Sequence, residues 1–412
     1  MVAFAREHLP RFDAILPVDV VVPCAHGSSL ALMDDSGTLV LPFMDYEAEP
    51  PEEIARGYAA IEPAFGEVFA PTNPGALTLG LQLHWQETLF PEEFRRVRTI
   101  VPGGQYYAFA LSGRAVTEVS ALGAQTHLID VRSNAYSSLT KARGWDRLFA
   151  PVVPAWSRLG PLKPEFRGAN FRGEGQVVAG VHDSNANFLR YLASDRARFT
   201  LLSTGTWIIG FDTEADITGL DPARDTVSNT TVYGKPVASC RFMGGREFAT
   251  VADGAPADAA RFDVLDRLIA RGTLALPSFT DSGGPLPGTG GKGRIEGPAA
   301  ETPEERATLA ALYCGLMTAS SLEAIGARSD VIVDGPFSQN PVYLAALAAA
   351  VPELSVFASR VRNGTSTGAA LLGLADAEGN IPRFRVELEP VSPAASPGFA
   401  DYHRKWAALT RG

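Results

Sequence analysis

The sequence predicts an α/β protein, because patterns typical of strands and of helices alternate along the chain. Apolar runs such as "VVAGV" (177–181) and "VIV" (331–333) are short and β-branched, as buried strands are. The stretch "TPEERATLAALYCGLMTASSLEAIG" (302–326) predicts a long helix, since proline and acids open it and glycine closes it. The expected architecture is a sheet covered by helices.

Two domains are expected, because a chain of 412 residues exceeds what one hydrophobic core usually serves. A renewed hairpin pattern, "RFTLLSTGTWIIGF" (198–211), sets the boundary, which assigns residues 1–196 to the first domain and 197–412 to the second. The stretch "DVVVPCAHGSSLALMDDSGTLVLP" (19–42) is interpreted as an antiparallel meander. Residues 277–297 are rich in glycine and proline, which predicts a long functional loop without regular elements.

Charge and composition exclude several classes of protein. The 46 acidic and 36 basic residues give a net charge of -10, which repels nucleic acid and anionic membranes, and no basic patch offsets it. Cys24, Cys240 and Cys314 lie far apart, so neither a disulfide framework nor a cysteine zinc site is expected. No leader-like or membrane-spanning apolar run is evident. We therefore expect a cytoplasmic protein without nucleic-acid or membrane partners, and its assembly, for example as a homodimer, stays open.

Small-residue turns follow apolar strands in the second half of the chain, at "STGTW" (203–207), "DGPFSQN" (334–340) and "NGTSTGAA" (363–370). Glycine lets the backbone approach a phosphate closely, and free N–H groups and hydroxyls at turns donate to anionic oxygens. One such turn is ordinary loop chemistry, but three in one domain suggest a nucleotide. The glycine-rich loop is not a P-loop, because Leu286 stands where the first glycine is required and Gly293 where a hydroxyl is required.

These stretches resemble the FGGY family of carbohydrate kinases, and within it the rhamnulokinase-like branch, over nearly the whole chain. The segment "VVAGVHDSNA" (177–186) is similar to that family's strand and catalytic aspartate, and "HGSSLALMDDSGTLVLPFMDYE" (26–47) to its sugar-facing hairpin. In the second half, "LLSTGTWIIGF" (201–211) is similar to its hairpin at the ATP phosphates, and "VIVDGPFSQNPVYLAALAAAV" (331–351) to its adenosine turn and helix. The resemblance implies a two-domain actin-like ATPase (ribonuclease H-like) fold, with a monosaccharide bound between the domains and Mg-ATP on the second.

The resemblance also assigns the residues of the site. Asp183 is implied to be the general base, which accepts the proton of a sugar hydroxyl as this hydroxyl attacks the γ-phosphorus of ATP. The residues implied for the sugar are His26, Gly27, Asp45, Tyr46, His182 and Ser184. Those implied for ATP are Thr204, Gly205, Thr206, Gly335, Ser338 and Asn340. It names no ligand for Mg²⁺, and the expected sugar is a ketose or deoxyketose such as L-rhamnulose or L-fuculose.

Structural alternatives stay open for several of these residues. Asp183 is also placed to cap the helix that starts near Ser184, since aspartate is common at such positions. His182 is also interpreted as a core histidine that bonds to backbone, and Asp45 as part of a solvated acidic turn. Trp207 is expected to belong to the core.

Departures from the family pattern define the rival functions. The family's first strand-turn-strand, with the pattern D-x-G-T/K-T-x-x-K/R, is not found, so the first domain is expected to be incomplete. Pro336 follows Gly335 in the adenosine turn and removes a backbone donor. The rivals to a kinase are therefore a sugar-binding or regulatory protein without turnover, and an actin-like ATPase that acts on a protein partner.

Overall fold

The structure, a computed structural model, describes residues 1–281, 284–361 and 363–410. The α-helices are, in chain order, α1 (Val2–Ile15), α2 (Glu52–Ala59), α3 (Phe65–Val68), α4 (Leu79–Leu89), α5 (Pro91–Phe94), α6 (Gly103–Ser112), α7 (Val119–Leu122), α8 (Ser138–Ala142), α9 (Asp183–Leu192), α10 (Gly244–Ala252), α11 (Phe262–Arg271), α12 (Pro303–Ala324), α13 (Pro341–Ala350), α14 (Gly364–Leu371) and α15 (Phe399–Thr410). The strands are β1 (Val20–Val21), β2 (Cys24–Ala25), β3 (Leu30–Met33), β4 (Thr99–Pro102), β5 (Thr117–Glu118), β6 (Val152–Val153), β7 (Arg158–Pro161), β8 (Gln176–Val178), β9 (Val181–His182), β10 (Thr200–Thr204), β11 (Ile208–Asp212), β12 (Thr226–Thr230), β13 (Pro236–Phe242), β14 (Leu274–Leu276), β15 (Arg294–Glu296), β16 (Val331–Asp334), β17 (Val356–Ser359) and β18 (Leu388–Pro390).

The chain divides into two compact units. Unit 1 consists of Met1–Ser194, Ser228–Pro236 and Asn363–Phe384. Unit 2 consists of Asp195–Val227, Val237–Arg362 and Arg385–Gly412. The units are thus assembled from several segments, whereas the sequence analysis placed one boundary, after residue 196, between the family's two domains; that boundary stays a prediction.

Parallel pairing joins distant segments in unit 1. β1 pairs in parallel with β8, β2 pairs in parallel with β9, and β3 pairs antiparallel with β4. The predicted antiparallel meander over residues 19–42 is therefore wrong, although an isolated antiparallel bridge joins Met33 to Leu39. Pro23 separates β1 from β2, because proline supplies no N–H group to a ladder. Local turn residues indicate where a strand ends, but they do not select its partner.

Helix α9 is anchored in unit 1 by apolar packing and by α14. Val178 and Val181 pack in one buried cluster with Leu189 of α9. A Cβ atom at Gly368 of α14 would lie 1.7 Å from the carbonyl oxygen of Ala186, so glycine is required at this approach. The turn "NGTSTGAA" (363–370), predicted to share a domain with the other two turns, falls in unit 1, where its helix packs on α9, and its place in the family's two domains stays a prediction.

The sheet of unit 2 has β10 at its centre. The antiparallel β11 and β13 lie on one side of β10, and the parallel β16 and β17 lie on the other, followed by the antiparallel β18. A meander continued by parallel strands is the arrangement of the predicted ribonuclease H-like fold. The predicted hairpin over residues 198–211 is confirmed as β10 and β11.

Helices α12 and α13 form much of the core of unit 2. Every residue from Ala307 to Leu322 of α12 is buried, so this helix is covered on all sides and has no exposed polar face over this stretch. Thr302 caps its N-terminus by accepting a hydrogen bond from the Glu305 N–H, and Pro303 occupies its first position, as predicted. None of the helices in the described part of the chain is both long and apolar enough to cross a membrane.

The glycine-rich segment 277–297 is more regular than expected. Its residues Arg294–Glu296 form β15, which pairs antiparallel with β14, so the prediction of a loop without regular elements is wrong in this part. The buried carboxylate of Glu247 accepts hydrogen bonds from the N–H groups of Phe279 and Thr280, at 2.9 and 3.1 Å. A carboxylate with such donors fixes the start of the segment. Residues 282 and 283 lie outside the described part.

Glu118 provides a test of the packing in unit 1. Its fully buried carboxylate caps α7 by accepting hydrogen bonds from Ser120 and Ala121, yet burial raises its pKa from 4.5 to about 7. Because the folded state favours the protonated acid, the resulting stabilisation is complete below about pH 4.5 and is lost as the pH rises to about 7.

We expect the free energy of unfolding of the wild type, relative to Glu118→Gln, to fall by about 3 kcal/mol over this pH range. Urea titrations of both proteins at a series of pH values measure the difference. Parallel pH profiles for the two proteins would show that burial does not control this carboxyl group.

Candidate active site

The predicted catalytic residue lies where a strand of unit 1 passes directly into a helix. β9 ends at His182, which is the N-cap of α9, and Asp183 is the first residue of that helix. β9 pairs in parallel with β2, in a register that sets Ala25 opposite His182. Since the carboxyl ends of parallel strands lie at the same edge, the turn after β2 adjoins the His182–Asp183 pair.

Asp183 is held through one of its two carboxylate oxygens. Oδ1 accepts a hydrogen bond from the backbone N–H of Ser184 at 2.6 Å, and lies 3.3 Å from both the Ser184 hydroxyl and His182 Nε2. Within the described residues no hydrogen bond reaches Oδ2. The side chain is 43% exposed. The capping role named as its alternative is therefore wrong, because His182 is the N-cap and the backbone N–H bonded to Asp183 Oδ1 is only that of the next residue, and Oδ2 is left without a partner among the described residues.

His182 is a buried neighbour of this carboxylate. Its side chain is only 13% exposed, and burial lowers its pKa, opposed by the charge of Asp183 and assisted by that of His26. The imidazole is therefore neutral near pH 7. A Cβ atom at Gly27 would lie 3.0 Å from His182 Nε2, so the turn after β2 contacts the ring, and a larger residue there would displace it.

Other predicted sugar-binding residues follow in the same part of unit 1. The rings of His26 and Tyr46 lie 5.4 Å apart, and a His26 Nδ1–H donates to the Gly27 carbonyl oxygen at 2.6 Å. Asp45 is exposed and accepts a hydrogen bond from the Glu47 N–H, which is the geometry of the acidic turn named as its alternative. The contacts thus bring His26, Gly27, His182 and Asp183 together with Tyr46, but they do not join Asp45 to this group.

Sequence analysis missed Gln82, which supports this group. Its buried side-chain amide donates to the carbonyl oxygens of Ser28 and Ala76, at 2.8 and 2.6 Å. The Tyr46 carbonyl oxygen accepts from the Ala76 N–H at 3.0 Å, so Gln82 ties the turn after Gly27 to the segment that holds Tyr46. The available signal was an amide among the apolar residues of α4, although Gln86 on the same helix gives the same signal.

In unit 2 the predicted ATP-binding turns meet at the ends of two parallel strands. β10 and β16 pair so that Ser203 lies opposite Asp334. The Thr204 hydroxyl donates to the Asp334 carbonyl oxygen at 2.6 Å and accepts from the Phe337 N–H at 3.1 Å. Gly335 has φ +91°, and a Cβ atom there would lie 2.1 Å from the Thr204 carbonyl oxygen. These contacts confirm that the two turns are neighbours.

A third glycine turn in unit 2 was not predicted. Gly245, at the start of α10, donates its N–H to the Thr206 carbonyl oxygen at 3.1 Å, and a Cβ atom there would lie 2.6 Å from the Gly205 carbonyl oxygen. Thr206 itself is exposed. Two consecutive glycines between an apolar strand and a helix were the signal that this turn offered. Trp207, expected in the core, is half-buried and lies beneath Arg241, whose guanidinium carbon is 5.6 Å from the ring centre.

Ser338 and Asn340 have structural partners within unit 2. The buried Ser338 hydroxyl lies 2.8 Å from the Gly335 carbonyl oxygen and 2.7 Å from that of Ser359. Asn340 caps α13, since its Oδ1 accepts a hydrogen bond from the Tyr343 N–H at 3.1 Å. Both residues shape the turn that follows Gly335, and their contact with a nucleotide stays a prediction.

Comparison with known proteins decides the family. Residues 196–382 match the model of the carbohydrate kinase FGGY C-terminal domain. A carbohydrate kinase from Novosphingobium aromaticivorans is 32% identical, with a TM-score of 0.86, and the match covers 99% of this chain and 90% of that chain. The chain belongs to the FGGY carbohydrate kinases.

More distant structures confirm the fold of this kinase. The match to a xylulose kinase from Rhodospirillum rubrum has 18% identity and a TM-score of 0.73, and covers 99% of this chain and 88% of that chain. The match to Plasmodium falciparum glycerol kinase with ADP has 12% identity and a TM-score of 0.75, and covers 98% and 88%. The predicted actin-like ATPase fold is thereby confirmed, and the enzyme is a sugar kinase. None of the curated proteins matches the sequence.

The Gly335 turn of the kinase can be tested by adding one methyl group. Gly335→Ala combines an unfavourable positive φ with a clash against the Thr204 carbonyl oxygen, so we expect the free energy of unfolding to fall by about 3 kcal/mol. Gly254→Ala is the matched control, because Gly254 has φ +79° but has open space around its Cβ position. This control should lose only about 1 kcal/mol. Chemical denaturation measures both values, and equal losses would mean that the two strand ends lie further apart.

Proposed function

We propose that the kinase transfers the γ-phosphoryl group of ATP to a hydroxyl of a monosaccharide, with Asp183 as the general base. The observation that carries this proposal is the asymmetry of the carboxylate, with Oδ1 bonded to its own helix and Oδ2 without a hydrogen-bond donor from the described residues. A general base must be held in one orientation and must keep an oxygen available to accept a proton, and Asp183 meets both conditions.

The chemistry that Asp183 performs is removal of the hydroxyl proton while the sugar oxygen attacks phosphorus. Such proton transfer contributes about 10²- to 10⁴-fold to a rate, and positioning of the reactants supplies much of the remainder. The neutral His182 beside it adds no positive charge to oppose proton uptake. The half-buried Tyr46 and the exposed His26 offer hydrogen-bonding groups to the other sugar hydroxyls.

The residues of unit 2 fit a nucleotide. Gly335 brings the backbone of one turn against Thr204 in the other, which is the close approach that a phosphate-binding turn needs. The hydroxyl of the exposed Thr206 is available to donate to a phosphate oxygen. We assign no ligand to Mg²⁺, because this ion is commonly held by one or two carboxylates together with the phosphates themselves.

We propose a ketose or a deoxyketose as the sugar, with L-rhamnulose and L-fuculose among the candidates. This choice depends on the resemblance of the hairpin and the strand segment to the rhamnulokinase-like branch. The xylulose kinases of known structure do not indicate the sugar of this enzyme, because at 18% identity or below the likeness extends only to the fold. Phosphorylation of a panel of ketoses, aldoses and polyols, followed as ADP release, identifies the substrate.

Asp183→Asn tests the proposed base. We expect kcat with the preferred sugar to fall at least about 100-fold, while the protein stays folded, because asparagine keeps the contact with the Ser184 N–H but cannot take the proton. Asp130→Asn is the matched control in the same unit, since Asp130 also accepts backbone hydrogen bonds, from Arg132 and Ser133. This control should keep its full rate.

The outcomes of these assays separate the rival functions. Full activity of Asp183→Asn would remove Asp183 from its role. Thermal stabilisation by a sugar without ADP release would support a sugar-binding or regulatory protein. ADP release that does not depend on any sugar would support an ATPase that acts on another partner.

A further inference from the structure

Asn185 lies beneath the His182–Asp183 pair and has no role in the chemistry described so far. It is the third residue of α9, and its side chain is 1% exposed. The spacing from the N-cap His182 to Asn185 is three residues, which places the two side chains on one face of the first helical turn. Asn185 Nδ2 lies 3.4 Å from His182 Nδ1.

The amide of Asn185 is only half satisfied. Its Oδ1 is buried and has no hydrogen-bond partner among the described residues, whereas Nδ2 faces the imidazole. A buried carbonyl oxygen without a donor destabilises a protein relative to an apolar group of the same shape. A gain in stability therefore does not explain why an asparagine occupies this position. We attribute its presence to its contact with His182.

The tautomer of His182 follows from the charge on Asp183. His182 Nε2 lies 3.3 Å from Asp183 Oδ1 in an electrostatic contact, and an anionic oxygen repels a nitrogen lone pair, so the proton of the neutral ring belongs on Nε2. Nδ1 is then an acceptor, and the Nδ2–H of Asn185 is the donor that faces it. The opposite tautomer would direct a lone pair of Nε2 at the carboxylate.

We propose that Asn185 is a positioning residue, which holds His182 in the Nε2–H tautomer so that the ring presents its N–H to the charge on Asp183 Oδ1 and leaves Oδ2 to accept the substrate proton. This inference rests on the proposed function, because it takes Asp183 as the base. Other groups facing the pair are His26, from the turn after β2, and the Cys24 thiol on β2, which burial keeps protonated.

Two substitutions separate positioning from packing. Asn185→Leu keeps the shape of the side chain and removes both the donor and the unpaired Oδ1, so the melting temperature should be unchanged or higher while kcat falls about tenfold. Asn185→Asp replaces the donor with an acceptor and should favour the Nδ1–H tautomer or the imidazolium, with a similar or larger loss of kcat. Neither should change KM for ATP.

The tautomer of His182 is measured independently of activity. Nitrogen-15 NMR of histidine-labelled protein, with the signal assigned by its loss in His182→Gln, should show a protonated Nε2 and a bare Nδ1 in the wild type. The same spectrum of Asn185→Leu should show a mixture of tautomers. Gln86→Met is the matched control, because Gln86 is also buried in unit 1 with an unpaired side-chain oxygen, on α4; it should leave both the spectrum and kcat unchanged.

The results distinguish this inference from the proposed function. If Asp183→Asn is inactive but Asn185→Leu keeps both its rate and its His182 tautomer, Asn185 has no positioning role and Asp183 remains the base. If Asp183→Asn is fully active, the assignment of the base is wrong whatever the spectra show. A loss of kcat in Asn185→Leu that is matched by a lower melting temperature, with the tautomer unchanged, would reduce Asn185 to a packing residue.

Discussion

Parallel pairing of strands that end side by side is the constraint on which the candidate residues of each unit depend. In unit 1 the register of β2 with β9 sets Ala25 opposite His182, so that the turn after β2 meets the start of α9. In unit 2 the register of β10 with β16 sets Ser203 opposite Asp334. At such ends the chain leaves the ladder, and its backbone groups become available to a ligand. A slip of one residue would turn each of these side chains to the opposite face.

Close contacts at these strand ends restrict which residues can occupy them. Gly27 contacts the ring of His182, and Gly335 contacts the carbonyl oxygen of Thr204, so a side chain at either position would push apart the elements that form the site. Gln82 holds two segments together, because its two hydrogen bonds keep Ser28 and Ala76 at a fixed separation. The positions of the candidate residues therefore depend on close contacts with the backbone as well as on the side chains that would contact a substrate.

Burial of polar groups beside the proposed catalytic carboxylate has a cost that the local structure offsets only in part. His182 is mostly buried and Asn185 fully so, and each would be destabilising as an isolated polar group. Together with Asp183 they form a short row of polar groups, in which Asn185 is hydrogen-bonded to His182 and His182 lies 3.3 Å from Asp183 Oδ1. The exposed fraction of the aspartate keeps its charge accessible to water, while the groups behind it are shielded. The buried end of this row of side chains, at Asn185, is therefore enclosed, and the other end, at Asp183, is accessible.

Elements whose signals are local were predictable from the sequence. α12, α13 and the hairpin of β10 and β11 follow from periodicity, caps and turn residues that lie within the segments themselves. The resemblance to carbohydrate kinases singled out Asp183, whereas local patterns alone left it as a helix cap. The meander over residues 19–42 was wrong, because the pairing of its strands depends on partners far away in the chain.

The sequence by itself determined which segments become helices and strands, which chemical groups follow each strand, and to which family the chain belongs. Tertiary structure alone decided that Gln82 supports the turn after Gly27, that Gly245 adjoins Gly205, and that Asn185 faces His182 with one amide oxygen unpaired among the described residues. The reason is physical: a propensity or a cap acts over a few neighbouring residues, whereas a hydrogen bond to a buried amide requires two groups whose positions are set by the packing of the whole unit.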